Sequence, residues 1–253
     1  MKYYFVGDAH LGCRAWDIER REEMEREFLS FLTQHTGDKE CGGIFLMGDI
    51  FDFWFEFAHS IPDGYDNVLE QIRKVAASGV KIHFIPGNHD QWTYGYLASL
   101  GVTVHKKTSE TTLGGKRIFL AHGHGLNSQG KPVKLMNAIF ESPFCQWGFR
   151  HLVMPKAGLW FGRKWSASNH RKHNSEYKDD GCIDYYEIQG GDMPGDEQVE
   201  WVKKNFEKLK QYDYIIMGHR HQGIDMMMKD NVRLVILDGF FVSGMDSAFC
   251  IEA

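Results

Sequence analysis

Five short clusters place metal-binding side chains beside small residues: Asp8-Ala9-His10, Gly48-Asp49-Ile50-Phe51-Asp52, Gly87-Asn88-His89-Asp90, His122-Gly123-His124 and Gly218-His219-Arg220-His221. Carboxylate and imidazole together supply the donors that suit Zn, Mn or Fe. Glycine before or between such donors lets the backbone turn tightly and come close to an ion. An aspartate has two oxygens and can bridge two ions. Two cations about 3.5–4 Å apart clamp phosphoryl oxygens and lower the pKa of a shared water, which suits the hydrolysis of phosphate esters. Asp-x-His alone is a weak signal, Gly-Asn-His-Asp is stronger and Gly-His-x-His after a strand is moderate; the competing reading is loop caps and satisfied core histidines. That plainer reading fits the lone His35, His59, His83 and His105. Five clusters in series, each following a short apolar run, point to a metal.

The elements that must position them alternate between strand and helix. Residues 2–7 read as a short buried strand ending at Asp8, and 16–34 as an amphipathic helix with Met24, Phe28, Leu29, Phe31 and Leu32 near helical spacing. A strand over 43–47 is broken by Gly48-Asp49. A helix begins at Asp66, presents Leu69, Ile72, Val75 and Ala76, and stops at Gly79. A third strand over 80–85 is closed by Pro86-Gly87. The pattern is that of an α/β domain with its polar residues at strand ends, where such sheets place ligands. Beyond Gly101, strands over 102–105, 108–113 and 116–121, the last two joined at Gly114-Gly115, predict a second sheet. A helix over 196–210 and strands over 214–217, 232–237 and 248–251 complete it. Residues 126–194, dense in Phe, Trp, Met and basic side chains, read as a mostly helical insertion, or cap. The core is then 1–125 and 195–253.

Composition narrows the function. The chain has 253 residues, 43% hydrophobic and 25% charged, enough for a buried core. Its 29 Lys and Arg against 34 Asp and Glu give a net charge of −5, which argues against nucleic acid as partner. No apolar run approaches the roughly 18 residues of a membrane span. The apolar start is too short for a secretory signal, so a cytoplasmic protein is expected. Cys13, Cys41, Cys145, Cys182 and Cys250 are scattered and lack any CxxC spacing, which predicts neither disulfides nor a thiolate zinc site.

In this order, D-x-H, GD-x-x-D, GNH-D, H-G-H and GH-x-H resemble the calcineurin-like metallophosphoesterase superfamily, over most of the chain outside the insertion. The resemblance implies a four-layer α/β/β/α sandwich with a helical cap and a site for two divalent ions at the C-terminal sheet edges. Manganese is the first expectation, and Fe or Zn would also fit. Carried over, one metal takes Asp8, His10, Asp49 and His221, and the other takes Asp49, Asn88, His122 and His219. Asp49 bridges them. His89 would stabilise phosphoryl charge or protonate the leaving oxygen, with Asp90 orienting it. Asp52 and His124 would stand behind the ligands.

The aromatic run after Asp49 (Phe51, Phe53, Trp54), His-Gly-x-Gly-Leu at 122–126 and the aromatic, basic insertion make the chain similar to a narrower family, the UDP-2,3-diacylglucosamine hydrolases of lipid A biosynthesis. The resemblance implies cleavage of the pyrophosphate of a UDP-linked diacylated glucosamine, giving UMP and the acylated sugar phosphate. Two positions depart from that family: many members carry Arg where His89 stands, and commonly Asp where His124 stands. The aromatics of the insertion, such as Trp147, Trp160, Phe161 and Trp165, read equally as core of a small helical unit or as a groove for acyl chains. Asn88, Arg163, Lys164, Ser168, Asn169, Arg171 and Lys172 could contact a diphosphate or a glucosamine headgroup, or simply be solvated. Trp beside basic residues also suits the cytoplasmic face of an inner membrane. The rival functions are a phosphodiesterase or phosphatase of the same fold, and a non-catalytic protein-binding scaffold.

Overall fold

Alternation of side chains along short strands decides the layering of this protein. The computed structural model describes residues 1–126, 138, 142–174, 186–187 and 196–253, and side chains there except those of 168–174 and 186–187. In chain order the elements are β1 (Lys2–Val6), α1 (Ile18–Gln34), β2 (Cys41–Leu46), α2 (Asp66–Ala77), β3 (Lys81–Phe84), α3 (Tyr96–Ser99), β4 (Val102–Val104), β5 (Thr108–Leu113) and β6 (Lys116–Ala121). There follow α4 (Pro143–Leu152), α5 (Pro155–Asn174), β7 (Tyr186–Glu187), α6 (Glu197–Lys204), α7 (Phe206–Leu209), β8 (Tyr214–Met217), β9 (Ile224–Met227), β10 (Arg233–Ile236), α8 (Phe240–Ser243) and β11 (Phe249–Glu252).

The strands form two sheets, ordered β11-β1-β2-β3-β4 and β5-β6-β8-β10-β9-β7. On β2, Ile44 and Leu46 face α1 and α2, where they meet Met24, Phe28, Val68 and Ile72. Phe45 and Met47 point the other way, into a core shared with Ile118, Leu120, Ile216 and Val235 of the second sheet. The second sheet alternates likewise: Ile215, Met217, Leu234 and Ile236 face Val199, Val202 and Leu209 of α6 and α7. Period-two strands thus bury both faces of both sheets, and the result is the expected mixed α/β sandwich with helices outside each sheet.

The register explains why distant clusters meet. β1, β2 and β3 run parallel, with Val6 opposite Leu46 and Leu46 opposite Phe84. β6, β8 and β10 also run parallel, with Ala121 and Ile236 both opposite Met217. The loops that leave these strands therefore emerge at one level in each sheet.

Several details differ from the pattern read in the sequence. The first helix starts at Ile18 because Asp17 caps it, accepting the Arg20 N–H. The helix expected over 196–210 is two, α6 and α7, broken at Asn205, whose side chain bonds back to the Trp201 carbonyl at 2.9 Å. β9 was not anticipated. Its Ile224 and Met226 are buried while Asp225 turns outward to Arg233. Tyr186–Glu187 pairs in parallel with β9 inside the stretch expected to be mostly helical. Leu159 and Phe149, from α5 and α4, pack against Phe55, Phe57 and Trp92 of the loops following β2 and β3.

Candidate metal centre

Each cluster sits in the turn where a strand ends, and the backbone there is under strain. Asp8, His10, Asp49, His219 and His221 all have positive φ, between 44° and 76°, the left-handed region that side chains other than glycine avoid. Only two other described non-glycine residues do so, Asp230 and Asn231 in a turn, so the strain concentrates at the predicted ligands. Glycines make the convergence feasible. A Cβ on Gly87 would lie 2.1 Å from Asp49 Oδ1, and one on Gly48 would lie 2.6 Å from His122 Nδ1.

The side chains converge into three groups, in each of which the donor atoms lie within 4.8 Å of one another: Asp8, His10 and His221; Asp49, His122 and His219; and His10, Asp52 and His89, the first and last sharing His10. The first two bring together six of the expected ligands, and the third was not foreseen. Asp8 Oδ1 lies 3.1 Å from His221 Nε2, and its Oδ2 accepts the His219 N–H at 2.9 Å. His10 Nε2 and His221 Nε2 are 3.3 Å apart. Asp49 Oδ1 accepts the His89 N–H at 2.8 Å, while Oδ2 lies 3.2 Å from His122 Nε2. Asn88 is exposed beside these groups.

Asp90 does something other than expected. Its carboxylate accepts the backbone N–H groups of Gly87 (2.8 Å), Asp49 (3.1 Å), Ile50 (2.8 Å) and Phe51 (3.4 Å), tying the β3 loop to the loop that carries Asp49. It reaches His89 through charge, whereas His89 Nδ1 donates to the main-chain oxygen of Asp52 at 2.7 Å. His122 Nδ1 donates to the Met47 carbonyl at 2.8 Å, which reserves Nε2 for the centre.

Electrostatics favour a cation here. Burial pushes Asp49 up, but the His122 and His89 charges outweigh it and hold the carboxylate well below its usual range. Burial likewise opposes protonation of His122, yet the Asp49 charge raises it to about 10. Burial pushes His10 down to about 4 and His219 to about 3, which keeps their lone pairs available at neutral pH. Among the described residues, buried Asp8 Oδ1 and His122 Nε2 have no hydrogen bond. Such atoms, ringed by carboxylates and imidazoles, fit divalent ions better than any protein partner.

His124 is buried behind His122, with ring centroids 5.4 Å apart, and neither of its nitrogens has a hydrogen-bond partner among the described residues. The basic candidates fare differently. Arg163 donates to the Asp63 carboxylate and carbonyl, both at 2.7 Å. Lys164 lies over the Trp160 ring at 4.9 Å. The side chains of Ser168, Asn169, Arg171 and Lys172 lie outside the described residues. Two of the lone histidines, His83 and His105, bond each other at 2.9 Å.

Three residues at the centre had no sequence signal. Ser166 bonds Asp52 from α5, Gln198 donates to the Gly218 carbonyl at 2.9 Å, and Phe241 packs its ring on His221 at 4.8 Å.

Parallel strand ends, strained ligand turns and a carboxylate–imidazole centre define a metallophosphoesterase site. Residues 1–223 match the calcineurin-like phosphoesterase family, and the chain belongs to it: it is a metal-dependent phosphoester hydrolase that uses divalent ions. The chain is 32% identical over 243 residues to the UDP-2,3-diacylglucosamine hydrolase of Porphyromonas gingivalis, covering 93% of this chain and 89% of that one. It is 26% identical over 240 residues to the enzyme of the same name from Actinobacillus succinogenes, covering 94% and 91%.

Proposed function

We propose that this protein hydrolyses the pyrophosphate of UDP-2,3-diacylglucosamine, releasing UMP and the acylated sugar 1-phosphate, with two divalent ions that are Mn²⁺ in the cell. The observation that carries the reading is the convergence of Asp8, His10 and His221 with Asp49, His122 and His219 at the strand ends of the two sheets. The names of relatives similar over nine-tenths of the chain support the substrate. Asp8, His10, Asp49 and His221 would hold one ion, and Asp49, Asn88, His122 and His219 the other. When bound, such ions supply Lewis acidity to phosphoryl oxygens and acidify water near neutral pH.

The chain's own residues do the rest. Asp49 keeps both groups at one place with one carboxylate. His89, oriented through Nδ1, would give a proton to the departing phosphate oxygen or balance its charge. Burial opposes that proton, but the Asp49 and Asp52 charges outweigh it and hold His89 protonated to higher pH than usual.

Residues 126–194 act in this proposal as a cap inserted into the 1–125 and 195–253 core. Phe149 and Leu159 hold its helices to the core, whereas Phe144, Trp147, Trp160, Phe161 and Trp165 are exposed. An outward aromatic face beside Lys164 suits acyl chains and the surface of the membrane that contains them, each buried CH₂ contributing about 0.8 kcal/mol. Among the described residues no helix is long and apolar enough to cross a membrane, which leaves peripheral contact as the mode proposed.

The test is turnover by the Mn²⁺-loaded protein on three substrates: the lipid nucleotide, a nucleotide diester and a chromogenic phosphate monoester. Release of UMP from the lipid nucleotide, at a kcat/KM far above the other two, is expected. Preference for the diester or the monoester would replace this reading with a soluble phosphodiesterase or phosphatase.

A further inference from the structure

Helix α5 approaches the loop after β2 along a line of small residues spaced by four, Gly158, Gly162 and Ser166. A Cβ on Gly162 would lie 2.2 Å from the Phe53 ring, and one on Gly158 would lie 2.8 Å from the Phe57 ring. This close seating brings the Ser166 hydroxyl to Asp52 Oδ1 at 2.7 Å, with Ser166 and Asp52 only 2% and 1% exposed. The same Oδ1 lies 3.7 Å from Nδ1 of His10, whose Nε2 faces His221. Asp52 also holds His89 through its main-chain oxygen, and Ser166 Oγ is 3.4 Å from His89 Nδ1.

A carboxylate behind a ligating histidine sets the ring's tautomer and direction. A carboxylate with one rotatable oxygen pair is itself well directed only if something fixes it. In water-filled sites solvent does this; here a buried hydroxyl from another element is in place. We propose that Ser166 is a positioning residue of the metal centre, its hydroxyl fixing the Asp52 carboxylate that orients His10, so that seating of α5 and the geometry of the centre are one property. The inference rests on the reading of this centre as the metal site of the phosphoesterase.

Co²⁺ is a suitable probe, because its visible absorption reports ligand geometry without any substrate. The expected result for Ser166→Ala is a Co²⁺ dissociation constant raised about tenfold and a changed visible spectrum, in the range that loss of such supporting groups causes. Turnover of the chromogenic ester should fall about as much in kcat, with KM little altered. Asp52→Ala should behave alike, and adding Ser166→Ala to it should change nothing more, because the hydroxyl acts through the carboxylate. Gln146→Ala removes a different bond between the helices and the core, from Tyr94 Oη at 3.0 Å, and should leave spectrum and affinity as they were. Wild-type Co²⁺ affinity and spectrum in Ser166→Ala, or full additivity with Asp52→Ala, would overturn the proposal. So would an equal spectral change in Gln146→Ala, which would reduce Ser166 to a docking contact. If Ser166→Ala does not fold, Ser166→Cys, close in size with a weak donor, takes its place in the cycle. Failure of the wild-type protein to cleave the lipid nucleotide would defeat the proposed substrate while leaving these metal measurements to stand or fall alone.

Discussion

Gly87→Ala tests the convergence at its tightest point. Gly87 does not have positive φ, so alanine costs the backbone nothing there, and the whole effect must come from the added methyl. That methyl would lie 2.1 Å from Asp49 Oδ1 and 2.5 Å from the Asp49 nitrogen, where ordinary contact begins at 3.4 Å. The Asp49 carboxylate must therefore retreat by more than about 1 Å, leaving its hydrogen bond from the His89 N–H. A misplacement of about 1 Å at a reacting centre costs about a hundredfold in rate. That equals about 2.7 kcal/mol of transition-state stabilisation, with about 1–3 kcal/mol of folding stability lost to overpacking besides. The assay pairs kcat on a chromogenic phosphate ester with metal content per chain, and a hundredfold lower kcat with reduced metal content is expected. Gly148→Ala is the control: it lies within α4 with nothing within 4 Å of the added carbon, and should keep full activity. Wild-type turnover with full metal content in Gly87→Ala would refute the assignment of Asp49 to both groups.

Asp49→Asn should lower metal content and abolish most turnover, because a neutral amide is a poor bridge between cations; retained activity with two metals bound per chain would contradict it. Metal binding at neutral pH should release a proton from His122, which the Asp49 charge raises to about 10 against the opposing effect of burial. Apparent affinity should accordingly rise with pH, by up to about tenfold per unit from this group, and level off above its pKa. Calorimetry in two buffers of different ionisation enthalpy measures the released proton, and identical heats would exclude it. Replacing Trp160, Phe161 and Trp165 together with polar residues should lower kcat/KM on the lipid nucleotide at least tenfold and spare the chromogenic ester, since these rings are exposed and the two substrates differ only in remote binding energy. Equal losses on both, with a lowered Tm, would make the aromatic face structural instead.

By itself the sequence pointed to the kind of centre and to the residues proposed to form it. Asp8, His10, Asp49, His122, His219 and His221 are legible because each lies a few residues beyond a short apolar strand and beside a turn-forming residue, which is short-range information. Parallel pairing brings the strand ends to one level within each sheet, and packing of the two sheets then joins Asp8 and His10 with His221, and Asp49 with His122 and His219. What only the tertiary structure decided are the contacts across long sequence separations. Ser166 meets Asp52 across 114 residues because Gly158 and Gly162 let α5 come close, and no local pattern marks a lone serine for that place. Asp90 reads in sequence as a partner of the adjacent His89, yet packing turns its carboxylate onto the amides of Gly87 and of the Asp49 loop 40 residues away. The positive φ at five ligand turns is equally hidden, since aspartate and histidine carry no rule that demands it. Those turns hold because two packed sheets over-determine them, and packing is a property of the folded whole.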